Sequence, residues 1–176
     1  MTGSFVIRRA SQSDAGALSD FAARLFRATY SSDTPAADLD AYIDKNFSME
    51  RQQAEIADLS AAVFLATVDD LIIGYAHLVV KSADSRPALL NRIYVDAEWR
   101  GRGLANDLLD AVLSESAQRG ATQLELTVFE RNTRAIAFYK RAGFAATGST
   151  TFAVGEDLQT DFVMEMDLDE RLNRRT

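Results

Sequence analysis

Apolar residues alternate with period two in some stretches and recur every three or four positions in others, and the two regimes take turns along the chain. Phe5 to Arg8 reads as a short first strand. Ser13 and Asp14 offer a helix cap, and Ala17, Leu18, Phe21, Leu25 and Phe26 follow at helical spacing. Pro35 starts a second helical region with Leu39, Tyr42, Ile43 and Phe47 on one side, and Met49 to Leu59 continues as another helix. Ala62 to Val68 and Leu71 to Lys81 read as two strands joined at Asp69-Asp70, a hairpin. Leu89 to Val95 is the next strand. Leu104 to Arg119 is the clearest helix, apolar at Leu104, Leu108, Ala111 and Val112, and Gly120 suits its stop. Leu124 to Phe129 is a strand, Asn132 can cap a helix over Thr133 to Ala142, and Gly143 ends it. Phe144 to Phe152 and Asp161 to Asp167 read as closing strands. The order β-α-α-β-β-β-α-β-α-β-β predicts an α/β (α+β) architecture, a mixed sheet with helices on both faces.

Composition narrows the classes without naming a function. The 176 residues suit one domain, and 47% hydrophobic content is ordinary for a globular chain. Cysteine is absent, so disulfides, thiolate metal sites and a cysteine nucleophile are excluded together. A cytoplasmic setting is expected, because the start lacks a charged segment followed by an apolar one. No apolar run approaches the ~20 residues of a membrane span. The net charge of -7 disfavours a nucleic-acid partner and favours a cationic one.

Against that acidic background, "AEWRGRGLANDLLDAVL" sets Arg100 and Arg102 beside Gly101 and Gly103 at a helix start. The first turn of a helix leaves main-chain N–H groups without partners. Glycines let successive N–H groups converge, and the helix dipole adds a positive end. The spacing therefore predicts an anion site, with a basic turn before a surface helix as the plainer alternative. A dinucleotide fingerprint would need a third glycine where Asn106 stands, and a nucleotide P-loop would need a lysine that is missing. No G-x-S-x-G hydrolase elbow is present either.

The stretch Leu90 to Phe144 resembles the Gcn5-related N-acetyltransferase (GNAT) superfamily. Arg100, Gly103 and Ala105 match its Q/R-x-x-G-x-G/A signature, and Asn132, Ala135, Phe138, Tyr139, Gly143 and Phe144 match its second block, N-x-x-A-x-x-F-Y-x-x-x-G-F. The resemblance implies a mostly antiparallel sheet splayed between its fourth and fifth strands. It implies one N-acetyltransferase domain over residues 1–176, with a motif core at about 62–168. It implies that acetyl-CoA is bound, and coenzyme A released, at a site built from Ile93, Tyr94, Val95, Arg100, Gly101, Arg102, Gly103, Leu104, Ala105, Asn132, Phe138 and Tyr139. Transfer to the amine would be direct, with Tyr139 as the acid for the departing thiolate. A homodimer through sheet edges is part of the same implication.

The base is not identified by the resemblance. Many members carry a glutamate four residues before the position of Ile93, and Leu89 stands there. Glu125 and Glu130 read as structural or solvent-facing, Asp84 as a loop charge and His77 as a packed side chain, so water-mediated proton transfer is expected. The segments "FRATY" and "GEDLQTDFVMEMDL" further resemble the bacterial spermidine/spermine N-acetyltransferase branch, through Gly155, Gln159, Thr160, Asp161 and Met164. A small-molecule amine, a polyamine among the candidates, is the implied partner. Asp33, Asp38, Asp40, Asp44, Asp157 and Asp161 would attract a polycation if they faced the cleft, or form a solvated acidic face if not. A ribosomal-protein-type N-terminal acetyltransferase and a low-turnover acetyl-CoA sensor are the alternatives.

Overall fold

In the computed structural model, which describes residues 4–81 and 87–170, seven strands form one sheet. Asp84 lies outside the described residues. The first strand, β1 (Val6–Arg9), leads into three helices, α1 (Ala15–Tyr30), α2 (Ala36–Asn46) and α3 (Met49–Ala57). A hairpin of β2 (Ala61–Val68) and β3 (Leu71–Val79) follows, then β4 (Ala88–Val95), α4 (Leu104–Gln118) and β5 (Gln123–Phe129). Helix α5 (Thr133–Ala142) and the long hairpin β6 (Ala145–Val154) and β7 (Asp157–Asp167) complete the order.

Local chemistry explains the boundaries. Asp14 closes a capping box with Ser11 ahead of α1, and Arg8 adds a 2.8 Å ion pair to the same carboxylate. The helical region after Pro35 is two helices, as the sequence suggests. It breaks at Phe47 and restarts where Ser48 caps the Arg51 N–H at 3.2 Å. Asp69 and Asp70 both take positive φ, as a tight hairpin turn demands. The closing strand β7 begins four residues earlier than the sequence pattern suggests, because Asp157 to Thr160, three of them polar, pair with β6.

Two cores sit on opposite faces of the sheet. Helices α4 and α5 cover one, centred on Leu104, Leu108, Leu124, Leu126, Tyr139 and Met164. Helices α1 and α2 cover the other, centred on Leu18, Phe26, Phe47, Leu65, Tyr75 and Phe129. Each fully buried Leu or Phe contributes roughly 1.5–3 kcal/mol. Helix α4 approaches β3 closely at Gly74, where an added Cβ would lie 3.1 Å from both Leu108 Cδ1 and the Tyr94 carbonyl.

The strand order β1-β2-β3-β4-β5-β7-β6 is antiparallel except where β4 meets β5. That parallel contact spans only Ala88↔Leu124 and Leu89↔Glu125. Beyond it the strands part, while β4 stays paired to β3 through Val95 and β5 to β7 through Phe129. The inner edges of two strands are thereby left open in the middle of the sheet.

Candidate active site

The parted strands enclose a cavity of about 370 Å³ that passes through the sheet. Residues Leu90 to Val95 form one wall and Thr127 to Phe129 the other. From one face α5 contributes Asn132, Arg134, Ala135, Phe138 and Tyr139; from the other, the end of α1 contributes Thr29 and Tyr30. Among the described residues, main-chain groups of Ile93, Tyr94 and Val95 that face away from β3 have no strand partner, and these residues line the opening. Such an edge can receive an extended ligand as an added strand.

The cavity's outer end is the arginine-glycine turn. Gly101 and Gly103 have φ of 74° and 85°, in the left-handed region that favours glycine, and a Cβ at either would meet nothing within 4 Å. Gly103 is the N-terminal boundary of α4 and no side chain caps it. The first-turn N–H groups beside Ala105 and Asn106 are therefore open to an anion. Arg100 lines the same space. Its charge is disfavoured by partial burial and then by Arg134 across the cavity, with Asp96 giving some relief. Two guanidinium groups brought together with unfilled main-chain donors suit a diphosphate.

Most of the residues implied from the sequence meet here. Ile93, Tyr94, Val95, Arg100, Gly101, Gly103, Ala105, Asn132, Phe138 and Tyr139 all line the cavity. Two do not. Arg102 lies over the Trp99 ring at 5.1 Å, and the Leu104 side chain is 1% exposed in the core beneath α4. Asn132 also caps α5, accepting the Ala135 N–H at 3.3 Å. Tyr139 is buried; burial, then Tyr94, pushes its hydroxyl well above the usual phenol range, so it stays protonated. Arg134, Trp99, Thr127 and Tyr30 carry no site role in the sequence reading, although Arg134 sits inside the second motif block, Trp99 inside the arginine-glycine stretch and Tyr30 at the end of "FRATY".

Below the β4 wall lies a buried ionic cluster. Arg92 pairs with Glu55 at 2.6 Å, both side chains are nearly sequestered, and the Arg92 guanidinium covers Phe47 at 4.8 Å. His77 is packed beside it, its Nδ1 2.9 Å from the Asn91 amide. Burial pushes His77 down to about 4, so it is neutral near pH 7, a packed residue as expected. Glu125 is half-buried opposite Glu165 on β7, and Glu130 is exposed at the end of β5.

The aspartates divide. Asp33, Asp40 and Asp44 are exposed, Asp38 and Asp157 half-buried, and Asp161 is 4% exposed inside the fold. Asp161 is thus no part of a solvated face. Gln159 donates to Thr34 Oγ1 and to Asp157 Oδ2, each at 2.7 Å, tying the last hairpin to the α1–α2 connection. Asp38 packs against Gly155 at the hairpin turn, within 2.2 Å of where a Cβ would stand.

The sheet thus parts at its β4–β5 contact, with an uncapped helix start at the mouth of the opening. The chain belongs to the acetyltransferase (GNAT) family, whose model matches residues 22–144. It is 32% identical over 155 residues to an uncharacterised N-acetyltransferase of Mycobacterium tuberculosis, covering 88% of this chain and 98% of that one. Its fold matches that of the PaiA N-acetyltransferase of Thermoplasma acidophilum, solved in complex with coenzyme A, with TM-score 0.81, 24% identity, and 93% and 99% of the two chains covered. A spermine/spermidine N(1)-acetyltransferase of Bacillus subtilis is 33% identical over 64 residues, 36% of this chain and 42% of that one. The protein is an N-acetyltransferase that uses acetyl-CoA. Among the described residues, no helix is long and apolar enough to cross a membrane.

Proposed function

We propose that this enzyme moves the acetyl group directly onto a primary amine of a small molecule, with polyamines such as spermidine and spermine the favoured acceptors. The observation that carries the reading is the opening through the sheet, with Tyr139 at the α5 face and Thr127 and Tyr30 at the α1 face. Donor and amine can then meet from opposite sides, and no covalent enzyme intermediate is needed in a chain without cysteine.

Residue roles follow from placement. Arg100, Arg134 and the N–H groups at Gly101, Gly103 and Ala105 hold the diphosphate of acetyl-CoA. The open edge of Ile93, Tyr94 and Val95 lines up its pantetheine arm, with Asn132 and Phe138 opposite. The bound donor supplies an acetyl thioester. A main-chain N–H on β4 polarises its carbonyl, and Tyr139 holds a proton ready for the leaving sulfur.

Support for a polyamine comes from the acidic groups around the far end. A second recess of about 140 Å³, sharing Phe129 with the main cavity, is bordered by Asp33, Glu130 and Asp157, with Arg131 as the opposing charge. The similarity to the Bacillus subtilis enzyme points the same way. Mass-spectrometric scanning of polyamines, aminoglycosides, amino acids and peptides with acetyl-CoA tests it. Acetylated spermidine and spermine are expected; product only from a peptide N-terminus would replace this reading with a protein N-terminal acetyltransferase.

A further inference from the structure

The reaction leaves one requirement unmet. A lysine-like amine has pKa ~10.4 and arrives protonated, so the site must take up a proton before attack. Leu89 stands where a carboxylate is common in relatives, and neither His77 nor Glu130 lines the opening. Asp161 does not line it either, but it is buried beside Thr127, which does, and one of its oxygens has no donor among the described residues.

Asp161 lies on β7 opposite Phe129 of β5, one diagonal step from Thr127. Residues at that diagonal share a sheet face. Thr127 and Phe129 both line the cavity, on the α1 side, at the level where β4 and β5 have separated. The carboxylate is enclosed, and its Oδ1 has no hydrogen-bond partner among the described residues. Its surroundings are aromatic: Tyr30 of α1, Tyr42 of α2 and Tyr94 of β4 all feel its charge, and Tyr30 lies 5.6 Å from Phe129. A buried carboxylate oxygen without a donor is costly, and a proton taken up there would relieve that cost.

Building on the amine-acetylating reading of the cleft, we propose that Thr127 and Asp161 form the proton exit of the reaction. The acceptor's ammonium donates to Thr127 Oγ as the Thr127 hydroxyl proton passes to Asp161. The freed nitrogen forms a bond to the acetyl carbon, the carbon–sulfur bond breaks, and the sulfur takes a proton from Tyr139. One of the two protons still on nitrogen re-protonates Tyr139 and the other stays on the amide, and Asp161 returns its own to water. Proton uptake is thus on the α1 face of the sheet and proton delivery on the α5 face, with the reacting carbon between them. Thr127 touches the amine and is the catalytic residue. Asp161 acts through it.

The electrostatics fit a transient proton holder. Burial pushes Asp161 up to about 6, the Thr127 hydroxyl pulls the other way by hydrogen bonding, and Glu130 adds an upward push. Near pH 7 the carboxylate is charged and ready, yet accepts a proton far more readily than an exposed aspartate. Tyr30, Tyr42 and Tyr94 stay neutral in the same range, since burial raises all three.

The test compares Asp161→Asn, Thr127→Val and Thr127→Ser with wild type. Asn and Val each lower kcat by about 100-fold or more, the usual scale for losing a positioned proton acceptor. Ser recovers at least about tenfold over Val, since it restores the hydroxyl. The acid limb of kcat/KM near pH 6 disappears in Asp161→Asn. Carboxyl NMR of the ligand-free protein shows Asp161 titrating near 6 in wild type and higher in Thr127→Val. Coenzyme A binding is unchanged throughout. Asp161→Asn within threefold of wild type, with its acid limb intact, overturns the relay while leaving the cleft's assignment standing. A Val variant as active as the Ser variant does the same, and remains informative if Asp161→Asn fails to fold. Wild-type protein that binds no coenzyme A overturns the reading of the cleft, and the relay falls with it.

Discussion

Arg100→Ala separates what the arginine does for the cofactor from what it does for the fold. In the free protein Arg100 faces Arg134 and is partly shielded from water, so its charge is disfavoured there. Removing it costs the free fold nothing and relieves a like-charge contact. In the complex it supplies hydrogen bonds to a charged oxygen, worth roughly 1.5–3 kcal/mol. At 1.36 kcal/mol per tenfold, that predicts about 13- to 160-fold weaker coenzyme A binding. At a concentration of 100 Kd the wild type gains about 2.7 kcal/mol from the ligand. The variant at the same concentration gains only about 0.3–1.3 kcal/mol by the same relation. A domain of this size shifts roughly 2–4 °C per kcal/mol, so the ligand-induced rise falls from about 5–11 °C to about 1–5 °C. Thermal unfolding with and without coenzyme A, beside calorimetric titration, reads both halves. A variant that binds within twofold of wild type refutes the diphosphate assignment. One that loses several degrees without ligand refutes the claim that Arg100 is held for the ligand alone.

Three further outcomes follow from the same geometry. Tyr139→Phe keeps coenzyme A affinity but lowers kcat by about 100-fold or more in steady-state assays, because only the proton donor is lost; unchanged kcat contradicts the acid role. Glu55→Gln leaves the Arg92 charge buried without its partner and destabilises by about 3–5 kcal/mol in denaturant titration, whereas Glu55→Met with Arg92→Met recovers most of it. Below pH 6.5 the unfolded chain takes up a proton on His77 that the folded chain refuses until about pH 4. Stability therefore falls as pH drops through that window, by on the order of 3 kcal/mol at its foot. His77→Gln flattens that fall, although Asp161 opposes it in wild type by holding its proton up to about pH 6 in the folded chain. A wild-type curve with no acid fall relative to His77→Gln would contradict the burial argument.

Elements with strong local signals were legible. The period of α4 with Gly120, the Asn132 cap with Gly143, and the Asp69-Asp70 hairpin each carry their boundary in their own residues. The arginine-glycine turn was legible for the same reason, since its chemistry lies within six consecutive residues. What escaped depends on contacts across the sheet. The early part of β7 is mostly polar and is held by pairing with β6. Arg102, at an unrestricted position of the motif, turns onto Trp99, a ring met through folding of the turn rather than through spacing. Asp161 looked like one of six acidic positions. Only strand register sets it beside Thr127 at an opening that no single segment encodes.

The central claim is that the gap between β4 and β5 is the place where donor and amine meet. A crystal structure with acetyl-CoA tests it most directly. The account predicts diphosphate density against Arg100, Gly101, Gly103 and Arg134, and an acetyl group lying between Ile93 and Tyr139. Density for the cofactor on any other surface, with this opening empty, would contradict it.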